Sequence, residues 1–217
     1  MGYGMSQTIR QRIWTGDYEA ADIAELEARY RQGQLNGSSF SSAVYSYAGR
    51  LKAEGDEKGY RRYLAKAVEI SDTFADMRKS AMTTAELDVR QSILREAGRY
   101  LEAGTVIEEG LRKFEEEGTA PIHTKALLLI GKANVLEHTN VPVGEVQTTV
   151  KAIEELAPEV EEEDEYQAIR VYRALAKHYS KMKDTERAEE AVADARRLIY
   201  ETGAWDQERK LEHDLRS

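Results

Sequence analysis

The chain has 217 residues, of which 41% are hydrophobic and 33% are charged, and its formal net charge is −9. This length suits one domain or one short array, and the negative charge repels phosphate backbones, so we expect no nucleic-acid binding. The absence of cysteine excludes disulfides, thiolate nucleophiles and cysteine-bound zinc. The N-terminal MGYGMSQTIRQR lacks the apolar core of a signal peptide, and the longest apolar run, residues 126–130, is too short to span a membrane. We therefore expect a cytoplasmic protein that does not interact with membranes.

Helical periodicity runs through the chain, and helices are predicted in pairs joined by short turns. A short helix at residues 6–15 carries Ile9, Ile13 and Trp14, and the Gly16-Asp17 turn leads to a second helix that runs to about Tyr30. The composition of residues 33–39, GQLNGSS, predicts a loop. The second pair turns at Gly55-Asp56, and Thr83 with Glu86 predicts a capping box before the third pair, which turns at Gly98.

The fourth and fifth pairs are separated by a proline and an acidic run. We expect the second helix of the fourth pair to end at Pro158. The acids of residues 159–165 are then expected to precede or start the next helix as a solvated segment. A calcium loop would need alternating ligands and a glycine, which are absent. In the fifth pair the helices break at residues 183–185, with Thr185 as the N-cap. A terminal helix, residues 205–215, is predicted to turn Trp205, Leu211 and Leu215 inward.

Equivalent positions recur at a steady spacing along these pairs. The position that follows each turn falls at Ala21, Tyr60, Ala103 and Ala188, with gaps of 39, 43 and 85 residues. The last gap corresponds to two units of about 42 residues. A steady period of helix pairs indicates a helical solenoid.

The chain resembles the tetratricopeptide repeat family. The resemblance rests on turns of the form G-D-Y-x-x-A, which stand at residues 16–21 (GDYEAA) and 98–103 (GRYLEA). It also rests on the last pair, where seven residues fall at the family's spacing: Tyr172, Leu175, Ala176, Tyr179, Ala188, Val192 and Ala195. The chain departs from the family in its period, which is longer than the usual 34 residues or so, and in the first helices of its third and fourth pairs.

We predict an all-α, right-handed superhelical array of about five helix-turn-helix pairs with a C-terminal capping helix. It forms a single domain over residues 1–217, with units at about residues 5–33, 38–82, 83–118, 119–158 and 161–202 and the cap at 204–217. The resemblance implies a concave groove, lined by the first helix of each pair, that binds extended or helical peptides. It places the partner-binding residues on those helices, away from the packing stripe: Arg170, Arg173, Lys177, Lys181, Lys132, Lys125 and Tyr45.

Four of these cations form a basic stripe. Arg170, Arg173, Lys177 and Lys181 follow at steps of three, four and four, and no acid stands three or four residues before any of them. An acid of a neighbouring helix, or an acidic peptide or carboxylate of a partner, is expected to offset their charge. The alternative is that the stripe is simply a solvated face.

No pattern in the sequence indicates catalysis. The four histidines do not form the H-x-x-x-H or E-x-x-H pairs of helical metal sites, and His178 is expected to be partly exposed. The glycine-rich loops of phosphate and dinucleotide sites are absent. Tyr47, Tyr60 and Tyr63 are interpreted as core residues rather than a binding cluster. We expect a non-catalytic adaptor or regulatory module without cofactor or metal that binds an acidic protein segment; the alternatives are a self-associating structural protein and a sensor of a small ligand or signal peptide.

Overall fold

The computed structural model describes residues 18–78, 81–139 and 141–216. Within them ten helices follow one another without a strand, which confirms the predicted all-α fold of helices packed in adjacent pairs. The helix predicted at residues 6–15 lies outside the described residues. In chain order the helices are α1 (Ala20–Arg31), α2 (Gly37–Ala53), α3 (Glu57–Arg78), α4 (Thr84–Glu96), α5 (Tyr100–Glu117), α6 (Ile122–His138), α7 (Val143–Glu163), α8 (Glu165–Met182), α9 (Thr185–Thr202) and α10 (Trp205–Arg216).

The chain divides into two compact units, residues 1–102 and 103–217, with the boundary inside α5. In the first unit α2 and α3 form the closest pair, α1 packs on α2, and α4 contacts both α2 and α3. Phe40, Val44 and Ile93 are buried in its core. Tyr47 is also buried, as predicted, and its ring meets the half-buried Tyr63 edge to face at 4.7 Å between centroids.

The second unit is built around α8. The hairpins α6/α7 and α8/α9 are its closest pairs, and α8 also contacts α6, α7 and α10. Leu175, Ala176 and Tyr179 of α8 share a buried cluster with the alanines of α9 at positions 188, 191 and 195. The small alanine side chains let the two helix backbones approach closely, as the sequence predicted.

Several predicted helix ends are confirmed. Gly55 and Gly98 adopt left-handed backbone conformations, with φ of 82° and 75°, at the two predicted turns. At the start of α4, the Thr83 hydroxyl accepts the Glu86 N–H at 3.3 Å, and the Glu86 carboxylate accepts the Thr83 N–H at 2.8 Å. These reciprocal bonds are the predicted capping box.

The predicted loop over residues 33–39 is too long. Helix α2 begins at Gly37, because the side chain of Asn36 accepts the Ser39 N–H at 2.8 Å and caps the helix. The glycine and serine content of this segment predicted a loop. In the structure its capped first helical turn packs against α3, where Phe74 lies next to Gly37.

The prediction that a helix ends at Pro158 is wrong. Helix α7 continues to Glu163 through the exposed proline, because Ala157 and Val160 on either side of it are buried in the core. Burial of these side chains offsets the loss of one helical hydrogen bond. The acids of residues 159–163 therefore end α7, whereas Asp164 caps α8 and Glu165 lies in its first turn, as predicted for the acidic run.

The last of these acids caps another helix. Helix α6 follows Pro121, which has no capping side chain. The Glu163 carboxylate accepts the backbone N–H groups of Ile122 and His123 at 3.0 and 3.1 Å. Burial raises the pKa of Glu163, but these bonds and the His123 ring outweigh it and lower the pKa.

Two predictions near the C-terminus need correction. Asp184, and not Thr185, caps α9, since its side chain accepts the Arg187 N–H at 3.3 Å. In α10 Leu211 is buried as predicted, but Trp205 is 60% exposed and Leu215 is 39% exposed. The inward face of α10 instead carries the buried polar residue Gln207, which the hydrophobic pattern could not reveal.

Candidate partner-binding surface

The basic stripe lies on the side of α8 that runs between α6 and α10. Its four cations, Arg170, Arg173, Lys177 and Lys181, are all helical, and their spacing places them on one side of α8. They do not all have the same surroundings. The two neighbouring helices supply acids to two of the cations, and the other two have no acid partner within residues 18–78, 81–139 and 141–216.

Arg173 is bound to the terminal helix. Its guanidinium lies 2.5 Å from the Asp214 carboxylate and donates to the Gln207 side chain at 2.6 Å. The Gln207 amide in turn donates to the Tyr166 hydroxyl at 2.7 Å. Only 14% of the Arg173 side chain is exposed. This network attaches α10 to α8, so the predicted role of Arg173 in partner binding competes with an internal one.

Lys181 and His178 converge on Glu137 of α6. One Glu137 oxygen lies 2.6 Å from His178 Nδ1 and the other lies 2.8 Å from Lys181 Nζ. Burial raises the pKa of Glu137, but these two hydrogen bonds and charges outweigh it and lower the pKa to about 2. His178 is 1% exposed, so the prediction of a partly exposed ring is wrong, because α6 covers it.

Arg170 and Lys177 have no acid partner among the described residues. Arg170 donates to the Gln167 side chain of its own helix at 2.8 Å. The two cations are seven residues apart, which is about two helical turns or 10 Å along the axis. Arg173 and Ala174 lie between them on this face, and the Arg173 side chain is bound to Asp214 and Gln207 of α10. A ligand that approaches this side of α8 therefore meets two cations whose charge no acid of the described chain offsets.

The other predicted binding residues lie elsewhere. Lys125 and Lys132 of α6 form ion pairs with Glu115 and Glu108 of α5, at 2.6 and 2.8 Å. They are therefore directed towards α5, whereas Glu137 of the same helix is directed towards α8. Tyr45 is half-buried on α2 in the first unit. The structure thus brings together the four cations of α8 but does not add Lys125 or Lys132 to their contacts.

The partners of α8 follow the repeat period. Glu137 is 41 residues from His178 and 44 from Lys181, and Arg173 is 41 residues from Asp214. In the first unit, Glu27 bonds Lys66 at a separation of 39 residues, and Lys52 bonds Glu96 at 44. The sequence period of about 42 residues was the signal that could have located these partners.

Three further features of the described residues bear on function. In the part of the chain that the structure describes, no group of three or more histidine and acidic side chains is placed to hold a metal ion. None of the described helices combines the length and the apolar character that crossing a membrane requires. An open acidic depression of about 430 Å³ lies where α7 ends, lined by residues 161–166 and Thr202.

Comparison with known proteins gives no assignment of family. No protein-family model matches the chain, and no curated protein and no solved structure is significantly similar to it.

Proposed function

We propose that the chain is a non-catalytic helical repeat protein, similar to the tetratricopeptide repeat family, that binds an acidic segment of another protein through α8. The proposed array is a right-handed superhelix of five pairs and a cap. The packing within each unit supports this: α2 contacts α4, and α8 contacts both α6 and α10, so first helices of successive pairs meet. Hydrogen bonds at separations close to the repeat period support it as well.

The observation that carries the function is the division of the basic stripe. Arg173 and Lys181 are neutralised by Asp214 and Glu137, whereas Arg170 and Lys177 have no acid partner in the described chain. Charge-assisted hydrogen bonds to carboxylates are stronger than neutral ones. Two carboxylates about 10 Å apart match these cations, which corresponds to two turns of a partner helix or about three residues of an extended strand. The ligand class is therefore an acidic peptide segment.

A peptide-display selection tests this proposal. A random library is selected on the wild-type protein, and the enriched peptides are titrated against Arg170→Glu/Lys177→Glu. A matched control, Arg112→Glu/Lys151→Glu, reverses two exposed cations of the same unit whose ion pairs are local to α5 and α7. We expect peptides rich in Asp and Glu, a loss of affinity of about tenfold or more in the α8 variant, and unchanged affinity in the control. Enriched peptides without acids, or equal affinity in both variants, would contradict the proposal.

A further inference from the structure

Helices α9 and α10 form an open groove on the second unit. The α9 side of the groove carries Glu189, Ala193, Arg196 and Tyr200, which follow at helical steps of four, three and four and therefore share one face. The α10 side of the groove carries Trp205, Glu208 and Leu215. Arg196 and Glu208 form an ion pair at 3.1 Å, which joins the two sides.

Both ends of the groove are apolar. At one end Val192, Ala193 and Leu215 help to line a depression of about 670 Å³. At the other end Tyr200 and Trp205 are 77% and 60% exposed, and their rings pack edge to face at 6.2 Å between centroids. Exposed aromatic pairs of this kind are enriched at protein interfaces, where they supply large contact areas. The groove therefore has the character of a docking surface.

The shape and charge of the groove specify its occupant. From Glu189 to Tyr200 it extends about 16 Å along α9, at 1.5 Å per residue. The small side chain of Ala193 at its floor allows the close approach of another helix. Among the described side chains that face it, Glu189 and Glu208 are acidic and Arg196 is basic, so acids outnumber cations there. The fitting occupant is a short, cationic, amphipathic helix with apolar side chains.

The N-terminal part of the chain has this chemistry. Residues 6–15, SQTIRQRIWT, predict a helix of ten residues, which would be about 15 Å long. Ile9 and Ile13 share one face, Arg10 and Arg12 supply positive charge, and the segment contains no acid. As the predicted first helix of a first pair, it is also the element that would extend a stack of pairs beyond α9 and α10.

We propose that the α9/α10 groove binds residues 6–15 of a second copy of the chain. Such a contact is head-to-tail, because it joins two different surfaces, and each bound copy leaves one groove and one N-terminal segment for further copies. The assembly therefore grows with protein concentration. It does not involve Arg170 or Lys177 and stands independently of the proposed peptide binding.

Sedimentation equilibrium of the full-length chain tests this with two variants and their mixture. Tyr200→Ser/Trp205→Ser removes the exposed aromatic pair of the groove, and Arg10→Glu/Arg12→Glu reverses the charge of the segment. We expect the wild-type mass to rise with concentration, and each variant alone to stay at the single-chain mass of 24.6 kDa. A mixture of the two variants still holds one intact groove and one intact segment, so it should reach twice that mass and no more.

The control is Val143→Ser, which removes an exposed apolar side chain of α7 and should assemble as the wild type does. Circular dichroism checks that each variant keeps its helix content. A wild type that stays at the single-chain mass throughout would overturn the proposal, and this includes the case in which the segment binds its own groove. The proposal would also be overturned if either variant alone assembled as the wild type does, or if their mixture stayed monomeric.

Discussion

Glu137 joins α6 to α8 through two side chains of α8. Its carboxylate is half-buried, and it meets His178 with one oxygen and Lys181 with the other. The buried imidazole and the partly exposed ammonium therefore stabilise the same negative charge. Burial alone would raise the pKa of Glu137, so its lowered pKa means that the two bonds outweigh the cost of burial.

The pKa of Glu137 makes stability depend on pH in a defined range. Its folded pKa of about 2 is below the ordinary value, so its contribution is complete above about pH 4.5 and is lost as the pH falls towards 2. Urea unfolding of wild type and Glu137→Gln measures this contribution. We expect the variant to be less stable by at most about 3 kcal/mol at pH 6 and the difference to shrink towards pH 2. A difference independent of pH would show that Glu137 does not act through its charge.

At the scale of the element, α2 contains two glycines in opposite surroundings. A Cβ atom at Gly37 would lie 2.8 Å from the Cβ of Phe74 on α3, which cannot rotate away. A Cβ at Gly49 would have no neighbour within 4 Å. The sequence shows two helical glycines and gives no sign of this difference, because it depends on which face α3 covers.

The same substitution at these two positions should have opposite effects. We expect Gly37→Ala to destabilise the protein by about 1–3 kcal/mol, because α2 and α3 must separate to admit the methyl group. Gly49→Ala should stabilise it by about 0.5–1 kcal/mol, since alanine favours the helix more than glycine does. Thermal unfolding of both variants measures the signs. Stabilisation by Gly37→Ala would mean that α2 does not pack as closely as described.

The acidic C-terminal end of α7 offers a second matched pair of substitutions, at Glu163 and Glu162. We expect Glu163→Ala to destabilise the protein by about 1 kcal/mol, because the first N–H groups of α6 lose their acceptor. Glu162 is exposed in the same turn and has no such role, so Glu162→Ala should be neutral or stabilise slightly by removing a negative charge near a helix C-terminus. Urea unfolding at low salt compares the two. Equal effects would contradict the capping role of Glu163.

Helix existence could be predicted from the sequence more reliably than helix ends. The apolar stripes of α8 and α9 and the turns at Gly55 and Gly98 are local patterns, and the structure has them as predicted. The continuation of α7 through Pro158 and the exposure of Trp205 depend on which surfaces neighbouring helices cover. Local rules for proline and for apolar residues could not include those neighbours.

At the scale of the whole molecule, the repeat period relates residues far apart in sequence. Arg173, Lys181 and Lys52 all meet acids 41 to 44 residues away. The sequence revealed the basic stripe but not its partners, since composition alone does not say which cation meets which acid. The basic stripe and the repeat period together would have indicated Glu137 and Asp214 as the acid partners. The assignment of Arg170 and Lys177 to partner binding needed the contacts themselves.

The central claim is that two cations of α8 hold the fold together and two are available to a partner. Urea unfolding at pH 7 of Arg173→Ala/Lys181→Ala and Arg170→Ala/Lys177→Ala tests it most directly. We expect the first variant to lose about 2–4 kcal/mol, because the partly buried carboxylates of Asp214 and Glu137 each lose a charged partner. The second should stay within about 0.5 kcal/mol of the wild type. Equal losses in the two variants, or a larger loss in the second, would contradict the division of the stripe and with it the proposed binding face.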